Sequence, residues 1–249
     1  MRWRLMIVLL SAAIATAASG RDRIAKPGPD LSRILVIIAH PDDETVIAPF
    51  LGTMCVERGS QCSFLVMTRG EGGSCSLPGG CTDLGTIREQ EMRGAATLFR
   101  ASLTIWSLPD VMADVSATWA AAAGGSDGLV RRIRDVIDAA QPTSIITFDP
   151  AHGTTFHPAH LALGELILEA VDPERILFIE TGAALDNGVY RFFNARPDVS
   201  RAFDVPGAWA YLIANASIHA SQFDESLLLS LAATPMEQRR VWFATAARL

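Results

Sequence analysis

Short apolar runs alternate with longer segments of helical periodicity along most of this chain. Five of the runs predict strands, because a strand that is buried on both faces is apolar at nearly every position. They lie at residues 33–39, 62–68, 103–108, 143–148 and 175–180. Helices are predicted at residues 44–58, 86–99, 128–140 and 157–171. This alternation is typical of an α/β fold with a Rossmann-like, mostly parallel sheet that helices flank.

Two segments lack this alternation. Residues 109–127 are rich in alanine and glycine and are predicted to be irregular, and the tail from about Gly207 is predicted to be mostly helical. No internal repeat or long linker divides the chain. We therefore expect one domain over residues 21–249, which is an ordinary length for a single α/β domain.

The first 20 residues have the pattern of a secretory signal peptide. Arg2 and Arg4 precede the apolar stretch from Leu5 to Ala18, and small residues follow. A membrane span needs about 20 apolar residues, so this stretch is short for one, although an uncleaved anchor is the alternative. We expect a secreted or periplasmic protein with no stable membrane insertion after cleavage.

Composition and charge exclude several classes of protein. Hydrophobic residues make up 49% of the chain and charged residues 19%, which is too apolar for a disordered protein. The formal net charge is −6, and cleavage of the signal peptide would remove two arginines and no acid. Phosphate contacts need clustered cations, and the two arginine clusters of this acidic domain, at 131–134 and 239–240, lie in helical patterns that predict solvated faces, so nucleic acid is excluded as a partner. The sequence does not define an oligomeric state.

All four cysteines lie between positions 55 and 81. Because exported proteins meet an oxidising compartment, an even number of cysteines indicates disulfides. Nearest-neighbour pairing would join Cys55 to Cys62 and Cys75 to Cys81. The two other pairings and free buried thiols remain alternatives.

Four of the five histidines follow predicted strands. His40 comes directly after the first strand, in AHPDDE, and the other three follow the strand that ends at residue 148, in DPAHGTTFHPAH: His152, His157 and His160. The carboxyl ends of parallel strands line the ligand crevice of an open α/β sheet, so these side chains should converge.

Their spacing suits a metal ion. His40 and Asp43 are three residues apart where strand gives way to helix, and His157 and His160 have the same spacing at a helix start. Two imidazoles, one carboxylate and an open position form a catalytic zinc site, and Fe²⁺ suits the same ligands. Asp42 supplies a spare carboxylate, for which helix capping is the alternative role.

The chain resembles the LmbE-like (PIG-L) family of zinc-dependent de-N-acetylases, which are related to GlcNAc-phosphatidylinositol de-N-acetylase. The resemblance depends on five segments: AHPDDE (39–44), MTRGEGG (67–73), IREQEMRGAA (87–96), HPAH (157–160) and IHASQ (218–222). Together they span most of the chain after residue 33. One departure stands out, because the family motif HPDH has an acid where this chain has Ala159.

The resemblance implies a role for each matching residue. It makes His40, Asp43 and His160 the zinc ligands. Asp42 becomes the general base and His157 the group that stabilises the oxyanion. The substrate contacts are expected from Arg69, and we add His152 and His219 as candidates. Without the family acid at Ala159, His157 should be less readily protonated, unless Asp149 or another acid takes its place.

The sequence therefore predicts a hydrolase that removes an N-acetyl or other N-acyl group, from an amino sugar or glycoconjugate. One alternative is a catalytically impaired member of the same fold that still binds metal or carbohydrate. The departure from the family motif at Ala159 is the reason for considering it. A non-haem Fe(II) oxygenase is another, since two histidines and a carboxylate also form its iron site. Separately, the helical spacing of Arg88 and Glu91 predicts an ion pair between them.

Overall fold

The computed structural model describes residues 28–187, 189–204 and 206–246. The predicted signal peptide lies outside these residues. Nine strands are described: β1 (Arg33–Ile38), β2 (Gln61–Thr68), β3 (Ser102–Leu108), β4 (Ser144–Phe148), β5 (Ile176–Ile179), β6 (Thr181–Asp186), β7 (Val189–Asn194), β8 (Ser200–Asp204) and β9 (Arg240–Thr245). Seven of them form one sheet in the order β3-β2-β1-β4-β5-β9-β8, and β6 and β7 form a separate antiparallel hairpin. Strands β1 to β5 are parallel and the last two are antiparallel, which confirms the predicted mostly parallel sheet.

The centre of the sheet is the most apolar part of the chain. In β1, the side chains from Ile34 to Ile38 are at most 1% exposed, and all five residues of β4 are buried. Each such aliphatic side chain contributes about 1.5–3 kcal/mol when it is fully buried. This central position explains why β1 is a nearly continuous apolar run and why β4 is buried at every position, and it places the ends of the two strands side by side.

Eight α-helices are described: α1 (Ala48–Leu51), α2 (Leu84–Leu98), α3 (Val115–Ala122), α4 (Ser126–Ala140), α5 (Gly153–Phe156), α6 (Pro158–Ala170), α7 (Trp209–Ile218) and α8 (Glu225–Ala232). Six of them pack as two groups, α1 and α2 with α7, and α3 and α4 with α6. Among the described residues, none of the helices is both long and apolar enough to cross a membrane.

Three sequence predictions about local structure are corrected. The supposedly irregular segment 109–127 contains α3, whose Trp119 is 1% exposed and anchors it in the core. The predicted helix at 44–58 is divided into a 3₁₀ turn (Asp43–Ile47), α1 and a π-helical turn (Gly52–Glu57). The tail contains α7 and α8, as predicted, but the prediction missed β9, which inserts between β5 and β8. Its six residues are too few for periodicity to separate strand from helix.

The cysteines pair as nearest neighbours, as predicted. Cys55 bonds Cys62 across the turn that leads into β2, and Cys75 bonds Cys81 within the glycine-rich loop after β2. The described chain has no free cysteine. Paired cysteines are typical of an oxidising compartment.

Candidate active site

The turn after β1 places two aspartates at the carboxyl edge of the sheet. Asp43 faces back toward the strand, where its Oδ2 accepts hydrogen bonds from the backbone N–H groups of Ala39 (3.0 Å) and His40 (2.7 Å). Asp42 has a φ of 104°, a conformation that non-glycine residues rarely adopt. Its side chain makes no capping hydrogen bond, so helix capping does not explain this carboxylate.

His40 is held by a carboxylate that the sequence analysis missed. Its Nε2 donates to Oδ1 of Asp110 at 3.1 Å, and its Nδ1 lies 3.5 Å from Oδ2 of Asp43. Asp110 follows shortly after β3, so an acid near the end of a predicted parallel strand was the available signal. A carboxylate behind an imidazole is the usual second partner of a metal-binding histidine, because it fixes the ring and its tautomer.

His160 is oriented from two sides. Its ring stacks on Phe148 with centroids 3.9 Å apart, and its Nδ1 donates to the Gly153 carbonyl at 2.8 Å. The other nitrogen, Nε2, lies 3.0 Å from Oδ1 of Asp43. With Nδ1 carrying the proton, the Nε2 lone pair and a carboxylate oxygen face the same point, which is how two ligands of one cation are arranged.

His157 completes a cluster of three imidazoles. It is the N-cap residue of α6, and its Nδ1 accepts from the backbone N–H of Ala159 at 3.2 Å. One ring nitrogen each of His40, His157 and His160 all lie within 4.8 Å of one another. Neutral imidazole and carboxylate donors are the set that Zn²⁺ and Fe²⁺ prefer, so these residues together with Asp43 fit the predicted metal.

The titratable side chains in this cluster shift one another's pKa values. Burial alone would lower the pKa of His40, but Asp43 and Asp110 raise it to about 10. Burial would raise the pKa of Asp43, whereas His160 and His40 hold it well below its usual value. For His157, burial and the two neighbouring histidines lower the pKa to about 4. The cluster is therefore an anionic pocket with neutral His157 at its rim.

Asp42 is partly buried and lies beside a buried arginine that was predicted to pair with Glu91. Arg88 of α2 donates through Nη2 to Oδ1 of Asp42 at 2.8 Å and through Nη1 to the Gly70 carbonyl at 3.0 Å. Gly70 has a φ of 67°, and a Cβ there would lie 2.5 Å from the guanidinium, so only glycine fits. The predicted pair of Arg88 with Glu91 is wrong, since Glu91 accepts from Ser221 instead.

The surroundings of Asp42 bring the pKa of its carboxyl group close to neutral pH. Burial raises the pKa of Asp42 to about 6, with Arg88 opposing the shift and Asp43 reinforcing it. A general base works best when its pKa is near the working pH.

A buried network fixes the backbone of Asp42. The N–H of Asp42 donates to Oε2 of Glu44 at 3.2 Å, and Oε1 of Glu44 accepts from Asn215 Nδ2 (2.9 Å) and His219 Nε2 (2.6 Å). Glu44, Asn215 and His219 are all fully buried. His219 was expected to contact the substrate, but here it lies in the core and its described partner is Glu44.

The remaining predicted residues lie around the cleft. Arg69 is partly exposed, with its Nε 3.2 Å from Oε2 of Glu89. His152 is also partly exposed, and its Nδ1 lies 2.7 Å from Oδ2 of Asp149. Asp149 therefore pairs with His152, and with Arg196 at 3.4 Å, rather than with His157. It does not replace the family acid at Ala159.

The fold and site define a class of α/β protein with a buried histidine–carboxylate centre at the carboxyl edge of a parallel sheet. Residues 35–171 match the model of the family described as PIG-L: GlcNAc-PI de-N-acetylase. This is more than half of the chain, which therefore belongs to that family of deacetylases.

Two curated relatives have related names. A protein from Schizosaccharomyces pombe, "Probable N-acetylglucosaminyl-phosphatidylinositol de-N-acetylase", is 28% identical over 68% of this chain and 63% of its own length. A Catenulispora acidiphila protein, "1D-myo-inositol 2-acetamido-2-deoxy-alpha-D-glucopyranoside deacetylase 3", is 27% identical over 67% of this chain and 50% of its own. The chain thus spans about half to two thirds of these relatives.

Solved structures share the fold at lower identity. The N,N'-diacetylchitobiose deacetylase of Pyrococcus horikoshii superimposes with a TM-score of 0.61 at 17% identity, over 82% of this chain and 75% of that one. GalB, the 4-carboxy-2-hydroxymuconate hydratase of Pseudomonas putida KT2440, gives 0.60 at 16% identity, over 80% and 83%. Because a hydratase has the same fold, the fold alone does not define the reaction.

Proposed function

We propose that this protein is a metal-dependent hydrolase that removes the N-acetyl or another N-acyl group from an amino sugar or glycoconjugate. The relatives that bear on this proposal are named for deacetylation of N-acetylglucosamine derivatives. The observation that carries it is the position of Asp42, a partly buried carboxylate with no capping role, directly beside the cluster of potential metal ligands. A binding site alone has no need for this additional base.

His40, Asp43 and His160 would hold the metal, which is Zn²⁺ in this proposal, with Fe²⁺ as the alternative. When bound, such an ion polarises the amide carbonyl and lowers the pKa of water to about 7. Asp110 and the Gly153 carbonyl keep the two imidazoles in the required tautomers.

The protein's own residues would handle the protons. Asp42 accepts a proton from the attacking water as the new C–O bond forms at the carbonyl carbon. The C–N bond then breaks, and Asp42 returns the proton to the departing amine, giving a carboxylic acid and a free amine. Arg88 holds the Asp42 carboxylate in place at 2.8 Å throughout.

His157 would stabilise the negative charge that develops on the carbonyl oxygen. Its Nδ1 accepts from the Ala159 N–H, so a neutral ring carries its proton on Nε2 and can donate it. Loss of one donor of this type costs about 10²–10³ in rate. On the amine side of the substrate, Arg69 and His152 are the proposed contacts, since both are partly exposed near the cleft.

Two features bear on the cellular location of the protein. We infer that the protein is exported, because its cysteines form two disulfides and its first 20 residues have the signal-peptide pattern.

The test is amine release by residues 21–249 loaded with Zn²⁺, over a panel of N-acetylated sugars. We expect release that falls by about 10²–10⁴ in Asp42→Asn, the range for loss of a general base. Asp114→Asn is the matched control, because Asp114 is an exposed aspartate that also has a positive φ, 52°. Bound metal without release from any sugar would favour the impaired, binding-only alternative that Ala159 suggests.

A further inference from the structure

An apolar cavity of about 210 Å³ opens beside the same site. Asp42, Asp43 and His160 line one end of it. Carbon-rich side chains form most of the remaining wall: Val46, Phe148, Ala183, Phe192, Phe223 and Leu231. The wall of the cavity therefore combines the proposed base and two proposed metal ligands with a mainly apolar surface.

The β6–β7 hairpin forms one wall through a regular alternation of side chains. Ala183 and Phe192 are cross-strand partners, and both face the cavity. The next pair along, Ala184 and Arg191, is exposed, because successive side chains of a strand point to opposite faces. The hairpin thus presents Ala183 and Phe192 to the cavity and turns its other face to solvent.

Few polar groups on the cavity wall could bind a sugar. Thr45 Oγ1 accepts from Asn215 at 2.9 Å, Thr154 Oγ1 donates to the Ile179 carbonyl at 3.5 Å and Thr155 Oγ1 lies 3.4 Å from Nδ1 of His160, so the Tyr190 hydroxyl is the main polar group left. A sugar buried there would leave most of its hydroxyl groups without partners, which is unfavourable. A hydrocarbon chain has no such requirement, so the cavity suits the acyl side of the amide and not the sugar side.

We propose that this cavity binds the acyl chain of the substrate and that the protein prefers acyl groups longer than acetyl. This inference rests on the proposed hydrolase function. An acetyl group places a single methyl beyond its carbonyl and would leave most of the cavity empty. Since an apolar cavity of about 150 Å³ holds one benzene molecule, 210 Å³ corresponds to a chain of about six to eight carbons.

The test compares kcat/KM for glucosamine carrying acetyl, butanoyl, hexanoyl or octanoyl groups, with released glucosamine as the common product. Each fully buried methylene is expected to raise kcat/KM about fourfold. We expect hexanoyl to exceed acetyl at least tenfold in the unmodified protein. Ala183→Leu should reduce this ratio by narrowing the cavity, whereas Ala184→Leu, the same change on the exposed face, should retain it.

A binding measurement separates the two proposals. Octanoate should raise the Tm of the protein in a concentration-dependent way, acetate should not, and Ala183→Leu should weaken the effect of octanoate. Cleavage that is fastest with acetyl and declines with chain length would overturn the acyl-chain inference and leave the hydrolase standing. Absence of cleavage throughout, with octanoate still stabilising the protein through Ala183, would instead overturn the hydrolase and support the cavity as an acyl site.

Discussion

The network around Glu44 gives a direct test of how the base is positioned. Glu44→Gln keeps the size of the side chain and removes its charge, while Asn215 and His219 remain as its neighbours. Breaking a buried ion pair costs about 3–5 kcal/mol, and glutamine retains one acceptor oxygen. We therefore expect the free energy of unfolding to fall by about 3 kcal/mol.

Glu44→Gln should also alter the backbone conformation of Asp42. A residue held at a φ of 104° carries strain of about 1–3 kcal/mol, and the bond from its N–H to Glu44 helps to maintain that conformation. If the bond weakens and Asp42 relaxes, kcat should fall by about 5- to 150-fold, since 1.36 kcal/mol corresponds to a factor of ten. KM should change little, because Glu44 is buried away from the substrate.

The assays are urea unfolding and steady-state kinetics on the folded fraction. Glu91→Gln is the matched control, because Glu91 accepts from Ser221 near the same network but does not contact Asp42. Glu91→Gln should lower the free energy of unfolding and keep kcat within about twofold of the unmodified protein. A Glu44→Gln protein that loses stability but retains kcat would refute the role of this network in positioning Asp42.

Three further predictions follow from single contacts. Asp110→Asn should weaken metal binding by about 10–100-fold, measured by competition with a chelator, because it removes the carboxylate that orients His40. Burial and the nearby Asp149 charge raise the pKa of Glu180 to about 8. The native state then holds a proton that the unfolded state has lost, so stability should fall as pH rises from about 4.5 to about 8, and Glu180→Gln should flatten this slope in urea midpoints. Ala159→Asp should change the pH–rate profile, because an added carboxylate raises the pKa of His157 from about 4 and lets the protonated ring take part in the reaction.

Each of these has a result that would count against it. For the metal site, the contrary result is an equal affinity for the metal in Asp110→Asn and in the control Asp114→Asn, which changes an exposed residue. For Glu180, whose two carboxylate oxygens lack hydrogen-bond partners among the described residues, it is a wild-type stability that rises over the same pH range. For Ala159→Asp, it is a pH–rate profile identical to that of the unmodified protein.

Much of the fold could be predicted because its central strands are buried on both faces. β1 is apolar after Arg33, so its run is unambiguous, and β4 is buried at all five positions although two of them are polar. The β6–β7 hairpin and the antiparallel β8 and β9 were missed. Their apolar runs are short and their pairing is set by tertiary contacts, which periodicity does not record.

In the candidate site, too, some residues could be predicted from the sequence and others could not. His40, Asp43, His157 and His160 could be found because strand ends and short spacings bring them together. Their supporting partners could not be found this way. Arg88 binds Asp42, 46 positions away, instead of its helical neighbour, because burial beside a carboxylate outweighs a surface pair of a few tenths of a kcal/mol.

The central claim is that metal binding and proton transfer belong to different residues of one site, and metal content measured beside turnover tests it most directly. Zn²⁺ per chain and amine release from N-acyl glucosamines would be measured for the unmodified protein, Asp42→Asn and His160→Ala. We predict that Asp42→Asn keeps its metal and loses about 10²–10⁴ in kcat, while His160→Ala loses both the metal and turnover. Turnover by Asp42→Asn at the rate of the unmodified protein, with metal bound, would contradict it.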